Sequence, residues 1–135
     1  MVFLKEYEIL HKKAKEDFIA AMYLLDGYNN QGLELNLEII FFHFQQCAEK
    51  LIKSLLDYNN IKFSHIHDIE KLIYMLNNNK IYTKLDIKKL IDLNEYAVEG
   101  RYAVINDDIN DIDTYIDILE KLTLHVEKTI SEEKD

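Results

Sequence analysis

The chain has 135 residues, a length that suits one domain with a hydrophobic core of its own. Its 16 basic and 25 acidic residues give a formal net charge of −9, which makes DNA an unfavourable partner and leaves RNA open only through a local basic patch. The absence of proline and the low count of three glycines favour long helices, and the single cysteine excludes an intrachain disulfide.

The first residues resemble the start of a helix rather than a targeting segment. Charges at Lys5, Glu6 and Glu8 interrupt the apolar residues, so we expect no signal peptide. No stretch of the sequence has the uncharged length that a membrane span requires. These patterns predict a cytoplasmic protein that does not bind a membrane.

Apolar residues at three- and four-residue steps predict two long helices at the start of the chain. The first covers residues 4–26, and Gly27 begins the turn that ends it. The second covers residues 35–58, where Ile39 and Phe42 lie off the centre of the apolar face. This surplus apolar surface indicates several neighbouring helices or a dimer contact.

Three more helices follow. The third starts near His67 and ends at the asparagines 77–79. The fourth opens at Thr83, where Asp86 three residues later completes a capping box, and continues to Ala97.

The last helix starts near residues 109–110 and fades into a charged tail at residues 132–135. We find no internal repeat and no strand-like alternation. The sequence therefore predicts an all-α fold, an up-and-down bundle of four to five helices in a single domain over residues 1–135.

The second helix carries a polar group of residues, Gln46, Glu49, Lys50 and Lys53, whose spacing puts them on one face. One interpretation is a solvated stripe with a Glu49–Lys53 ion pair. The other is that Gln46 and Lys53 line a groove for an anionic ligand. Cys47 lies on the apolar side of the helix, so we interpret it as a small buried hydrophobe.

Two further segments are candidates for metal binding, and we predict no metal at either. His65 and His67 are two residues apart with no cysteine and no further histidine nearby in the sequence, and Asp68 suits the N-terminus of a helix. The acidic run at residues 107–113 lacks the glycine and the distal glutamate of a calcium loop, and acidic residues at a helix start explain it.

Arg101 lies between Tyr96 and Tyr102 at a junction of predicted helices. Its guanidinium group can form paired hydrogen bonds with a phosphate or a carboxylate. It can equally hold a helix end through backbone carbonyls or pair with Glu49. The residues themselves leave these alternatives open.

In their order and spacing, these segments resemble the HEPN domain family. The second helix contributes Gln46, Ala48, Glu49, Lys50 and Lys53; the third contributes Phe63, His67, Asp68, Ile69 and Leu72; the junction contributes Tyr96, Arg101 and Tyr102. The resemblance covers most of the chain. Ile66 and Ala103 stand where the family commonly has threonine and proline.

The resemblance implies a helical bundle that pairs as a homodimer and binds nucleotides, often beside a minimal nucleotidyltransferase. Several branches are RNases with an Arg-x4–6-His motif, supported by the Glu-x3-Lys of the second helix. With Arg101 as the arginine, the histidine should be at 106, 107 or 108, which hold Asn106, Asp107 and Asp108. An asparagine cannot move a proton near neutral pH, and carboxylates repel a phosphate.

The sequence thus supports three hypotheses. The first is a HEPN-like homodimer without full RNase chemistry that binds a nucleotide such as ATP, a nucleotidyltransferase partner, or both, in a toxin–antitoxin-like module. It needs no cofactor, and its ligand-binding residues are Gln46, Glu49, Lys53, His67, Asp68, Tyr96, Arg101 and Tyr102. The second is a metal-independent endoribonuclease toxin using Arg101, Glu49 and Lys53. The third is a non-catalytic helical adaptor.

Overall fold

The computed structural model describes residues 3–81, 83–97 and 111–132. These contain four α-helices and one 3₁₀ helix: α1 Glu6–Asn30, α2 Leu37–Tyr58, α3 Ile69–Asn78, the 3₁₀ helix Lys88–Tyr96 and α4 Ile112–Glu132. The predicted all-α fold is confirmed. Within the described ranges, no helix is long and apolar enough to cross a membrane.

Helix α2 lies at the centre of the bundle. It contacts α1, α3, the 3₁₀ helix and α4. Its buried residues therefore extend around most of its circumference, from Phe41 and Leu51 to Leu56. A helix with several neighbours must bury more than one stripe, which explains why its apolar residues spread beyond a single face.

Aromatic contacts define the directions of the helices. Tyr7 at the start of α1 packs edge-on against Tyr58 at the end of α2, with ring centroids 5.2 Å apart, so these helices are antiparallel. Phe41 and Tyr115 lie near the starts of α2 and α4, with centroids 5.8 Å apart, so those two are parallel. With α3 and the 3₁₀ helix between them in sequence, the result is the predicted up-and-down bundle.

Helix α1 is longer than predicted and ends at Asn30 rather than at Asp26. The carboxylate of Asp26 accepts hydrogen bonds from the side chains of Asn30, at 2.7 Å, and Gln31, at 2.9 Å. These bonds stabilise one more turn. Gly27 continues the helix and is buried, so it does not begin the turn.

The fourth predicted helix is wrong in both its start and its type. The Thr83 hydroxyl bonds to the backbone of Leu85, accepting from its N–H at 3.3 Å and donating to its carbonyl at 3.1 Å. Asp86 accepts from the N–H of Lys88 at 3.2 Å instead of reaching back to Thr83. The capping box is therefore absent, and a 3₁₀ helix begins at Lys88.

A partly buried histidine of α1 faces α4. His11 Nε2 lies 3.9 Å from Glu127 Oε2 and has no hydrogen-bond partner among the described residues. Burial lowers the pKa of His11 from its ordinary 6.5; Glu127 opposes this shift and Lys15 adds to it. Because the folded-state pKa is depressed, the neutral imidazole's contribution to stability is complete above pH 6.5 and is lost as the pH falls below it.

We expect the parent chain to lose more stability than His11→Gln between about pH 7.5 and about pH 5, because the glutamine does not titrate. Urea unfolding at the two pH values measures this difference. His65→Gln removes an exposed histidine and should keep the parent's dependence. If the unfolding free energies of the parent and of His11→Gln depend equally on pH, the pKa of His11 is not lowered in the folded state.

Candidate functional site

A buried carboxylate lies in the middle of α2. Glu49 is 5% exposed. Its Oε1 accepts a hydrogen bond from Gln45 Nε2 at 3.2 Å, and its Oε2 lies 3.2 Å from Lys53 Nζ and 3.3 Å from His67 Nδ1. We refer to Gln45, Glu49, Lys53 and His67 as the α2 polar cluster. This cluster links the centre of α2 to His67, which directly precedes Asp68, the N-cap residue of α3.

Lys53 is also buried, at 8% exposure, so the interpretation of a solvated stripe is wrong for the Glu49–Lys53 pair. Its ammonium lies 5.6 Å from the centroid of the Phe63 ring, within the range of a cation–π contact. The neighbouring helices remove this part of α2 from water. A buried ion pair contributes little net stability once desolvation is counted.

The four polar residues expected on one face divide between two sites. Gln46 Nε2 donates to Gln45 Oε1 at 2.6 Å and thereby extends the α2 polar cluster towards the surface. Lys50 instead bonds to Asp17 of α1, whose carboxylate also lies 3.2 Å from His43 Nδ1. Lys50 therefore belongs to the α1–α2 contact.

His67 is the exposed member of the cluster. Its side chain is 69% accessible, whereas the Glu49 side chain beside it is 6% accessible. When Nδ1 carries the proton, it donates to the carboxylate and leaves Nε2 as an acceptor. A buried carboxylate thus orients an imidazole that solvent and ligands can reach.

Asp68 caps α3 and does not bond to the cluster. Its Oδ1 accepts from the N–H of Glu70 at 2.9 Å and from Asn94 Nδ2 at 2.8 Å. Asn94 Oδ1 in turn accepts from the N–H of Ile69 at 2.8 Å. Asn94 therefore holds the end of the 3₁₀ helix against the start of α3 through two hydrogen bonds.

Tyr96 follows Asn94 by two residues and lies inside the bundle. Its ring stacks on Phe41 with centroids 5.0 Å apart, and the residue is 6% exposed. Its hydroxyl is buried and has no hydrogen-bond partner among the described residues. Arg101, Tyr102 and the positions 106–108 of the expected motif lie outside the described residues.

The 3₁₀ helix, which precedes residues 98–110, contacts the residues that follow them, at the start of α4. Lys89 Nζ of the 3₁₀ helix lies 3.3 Å from Asp92 Oδ2 and 3.9 Å from Asp111 Oδ2. Tyr115 of α4 donates from its hydroxyl to Asp92 Oδ2 at 3.2 Å. The chain therefore leaves the 3₁₀ helix and enters α4 at neighbouring points.

Cys47 is fully buried, as predicted. Burial and the nearby Asp17 carboxylate raise the pKa of its thiol far above the ordinary range, although Lys50 opposes them. The thiol is therefore protonated and unreactive near neutral pH.

Within the part of the chain that is described, no three His, Cys, Asp or Glu side chains converge as a metal site requires.

Two residues of the site were missed by sequence reasoning, Gln45 and Asn94. Gln45 has no exposed surface, but its neighbour Gln46 is also a glutamine, and the pattern indicated only the latter. Asn94 occupies a polar position of an amphipathic segment and resembles an ordinary surface residue. Only its two bonds to the start of α3 identify it.

The chain matches the HEPN domain family model over residues 7–129, which include all five described helices except the ends of α1 and α4. The chain belongs to the HEPN family. Comparisons with curated proteins and with solved structures each find no match.

We expect Asn94→Ala to lower the free energy of unfolding by about 1–3 kcal/mol, because the Ile69 N–H and one Asp68 contact lose their partner. Chemical denaturation measures the loss. Asn78→Ala removes an exposed asparagine and should change stability by less than about 0.5 kcal/mol. Similar losses of unfolding free energy in the two variants would contradict the role of Asn94 in joining the 3₁₀ helix to α3.

Proposed function

We propose that this HEPN protein binds a nucleotide through its phosphate, with weak or no RNase activity, and acts with a minimal nucleotidyltransferase in a toxin–antitoxin-like module. The observation that carries the proposal is the α2 polar cluster, in which Glu49 holds Lys53 and the exposed His67 together. The sequence meanwhile lacks a histidine at the motif positions after Arg101.

The charges of the cluster indicate which residue must attract the anion. Glu49 and Lys53 cancel each other, so the cluster has no net charge while His67 is neutral. Arg101 is the only arginine of the chain and supplies the missing positive charge. Its planar guanidinium can bond two phosphate oxygens at once, and His67 and Tyr102 would contact the same ligand. A homodimer is part of this proposal.

We expect ATP, GTP or AMP to raise the melting temperature by about 10 °C at a concentration about 100-fold above its Kd. Arg101→Lys should weaken binding about tenfold and Arg101→Ala about a hundredfold, since the first keeps the charge and loses the planar fork. Titration calorimetry measures the affinities.

Lys50→Met is the matched control. It removes one positive charge at the contact between α1 and α2, where Lys50 bonds to Asp17, and it should keep the parent's affinity. Isolation of the tagged chain from its host tests the partner, with a nucleotidyltransferase or a nucleotide-sized mass addition on Tyr102 expected. If all three nucleotides leave the melting temperature unchanged and no nucleotidyltransferase co-purifies, the proposal is wrong.

A second candidate function is a metal-independent endoribonuclease. The observation that favours it is the geometry of His67, whose Nδ1 faces buried Glu49 while its imidazole is exposed. This is the arrangement of an oriented general base, and it would replace the missing motif histidine. Arg101 would then stabilise the charge on the phosphate.

Under this alternative, expression arrests growth, and purified protein cleaves RNA in the presence of a chelator. His67→Gln and Arg101→Ala should each lower the cleavage rate at least about a hundredfold, whereas His65→Gln should leave it unchanged. A gel assay on labelled RNA measures the rate. Normal growth at high expression, or equal rates for the two histidine variants, would remove this candidate.

A further inference from the structure

The turn between α1 and α2 forms an open hollow at one end of the bundle. It has a volume of about 490 Å³ and is lined by Tyr28, Leu33, Glu34, Leu35 and Asn36. Tyr28 is 37% exposed and Leu33 43%. Ile39 adds an exposed apolar side chain, at 44%, in the first turn of α2. We refer to Tyr28, Leu33, Leu35 and Ile39 as the tip surface.

The hollow is built on the end of α1. The N–H of Leu33 donates to the carbonyl of Gly27 at 3.0 Å. A Cβ atom at position 27 would lie 2.8 Å from Leu33 Cδ2, so the leucine rests directly on the glycine. Leu33 thus packs on the helix while still exposing part of its side chain to solvent.

The stretch of chain that forms the tip surface carries charge of one sign. The sequence contains no lysine or arginine from residue 16 to residue 49. Over the same stretch, Asp26, Glu34 and Glu38 lie at the end of α1, in the turn and at the start of α2. Apolar side chains therefore lie among carboxylates, with no basic residue of this stretch to neutralise them.

We propose that the tip surface docks a basic, amphipathic segment of a partner protein. The apolar side chains would contact its leucine-like residues, and the three carboxylates would pair with its lysines or arginines. A second copy of this chain would bring acidic patches face to face, and a nucleic acid would meet the same repulsion.

This surface lies away from the α2 polar cluster. Ile39 precedes Glu49 by ten residues of α2, or about 15 Å along the helix axis. The peptide experiment below uses no nucleotide, so its outcome is independent of nucleotide binding.

The probe is a labelled helical peptide with leucines on one face and lysines on the other, and binding is measured by fluorescence anisotropy at low and high salt. We expect Glu34→Lys to weaken binding about fivefold at low salt, since it reverses a charge at the tip surface. Ile39→Asn should weaken it about tenfold at both salt concentrations, because it removes apolar contact area.

Glu120→Lys is the control for net charge, because it makes the same change on the exposed side of α4. It should have less than half the effect of Glu34→Lys on the peptide's affinity. Amide chemical-shift changes on adding the peptide should cluster at residues 26–39.

Three results would overturn the proposal. They are absence of peptide binding, equal effects of Glu34→Lys and Glu120→Lys, and shift changes spread over the whole surface. Sedimentation of the parent and Ile39→Asn supplies a further test. If Ile39→Asn dissociates a dimer into monomers, the tip surface is an interface between copies and the proposal is wrong.

Discussion

A charged pair buried on the central helix places a constraint on the whole structure, because both charges must stay paired. Glu49 and Lys53 are removed from water on a helix that contacts every other described helix, and a charge in that position must be paired and hydrogen-bonded. Gln45 bonds to one carboxylate oxygen, and Lys53 and His67 lie beside the other. The loss of either charged partner would leave its counterpart buried and unpaired, at a cost of several kcal/mol.

This requirement extends from α2 to the rest of the site. His67 can reach Glu49 only if α3 begins where it does, and that start depends on the Asp68 cap. Asn94 bonds to Asp68 and to the backbone of the next residue, so the 3₁₀ helix is held to the same point. Tyr96, two residues after Asn94, stacks on Phe41 and so packs the end of the 3₁₀ helix against α2.

Much of the fold could be predicted from the sequence because helical periodicity is a local property. The two long helices and the capping role of Asp68 follow from the spacing of apolar residues and from a polar residue before them. The prediction at Thr83 was wrong because its hydroxyl had a nearer partner in the backbone of Leu85. A local motif cannot reveal which of two competing hydrogen bonds forms.

The candidate site was only partly predictable, because burial is a property of the assembled bundle. Spacing alone places Glu49 and Lys50 each within one turn of Lys53 on the helix surface. The neighbouring helices then bury Glu49 in the polar cluster and direct Lys50 to Asp17. Gln45 has helical spacing from the buried Phe41 and Ala48, so the apolar pattern includes its position although its side chain is polar.

The 3₁₀ helix has a consequence for how the site opens. Nine residues in this form are a long run, and their hydrogen bonds have poorer geometry than those of the α-helices around them. Local opening free energies should therefore be lower for residues 88–96 than for α2, against which they pack. The start of α3, which Asn94 joins to this 3₁₀ helix, therefore adjoins a segment that opens more easily than α2. Amide protons of the 3₁₀ helix should exchange with solvent before those in the middle of α2.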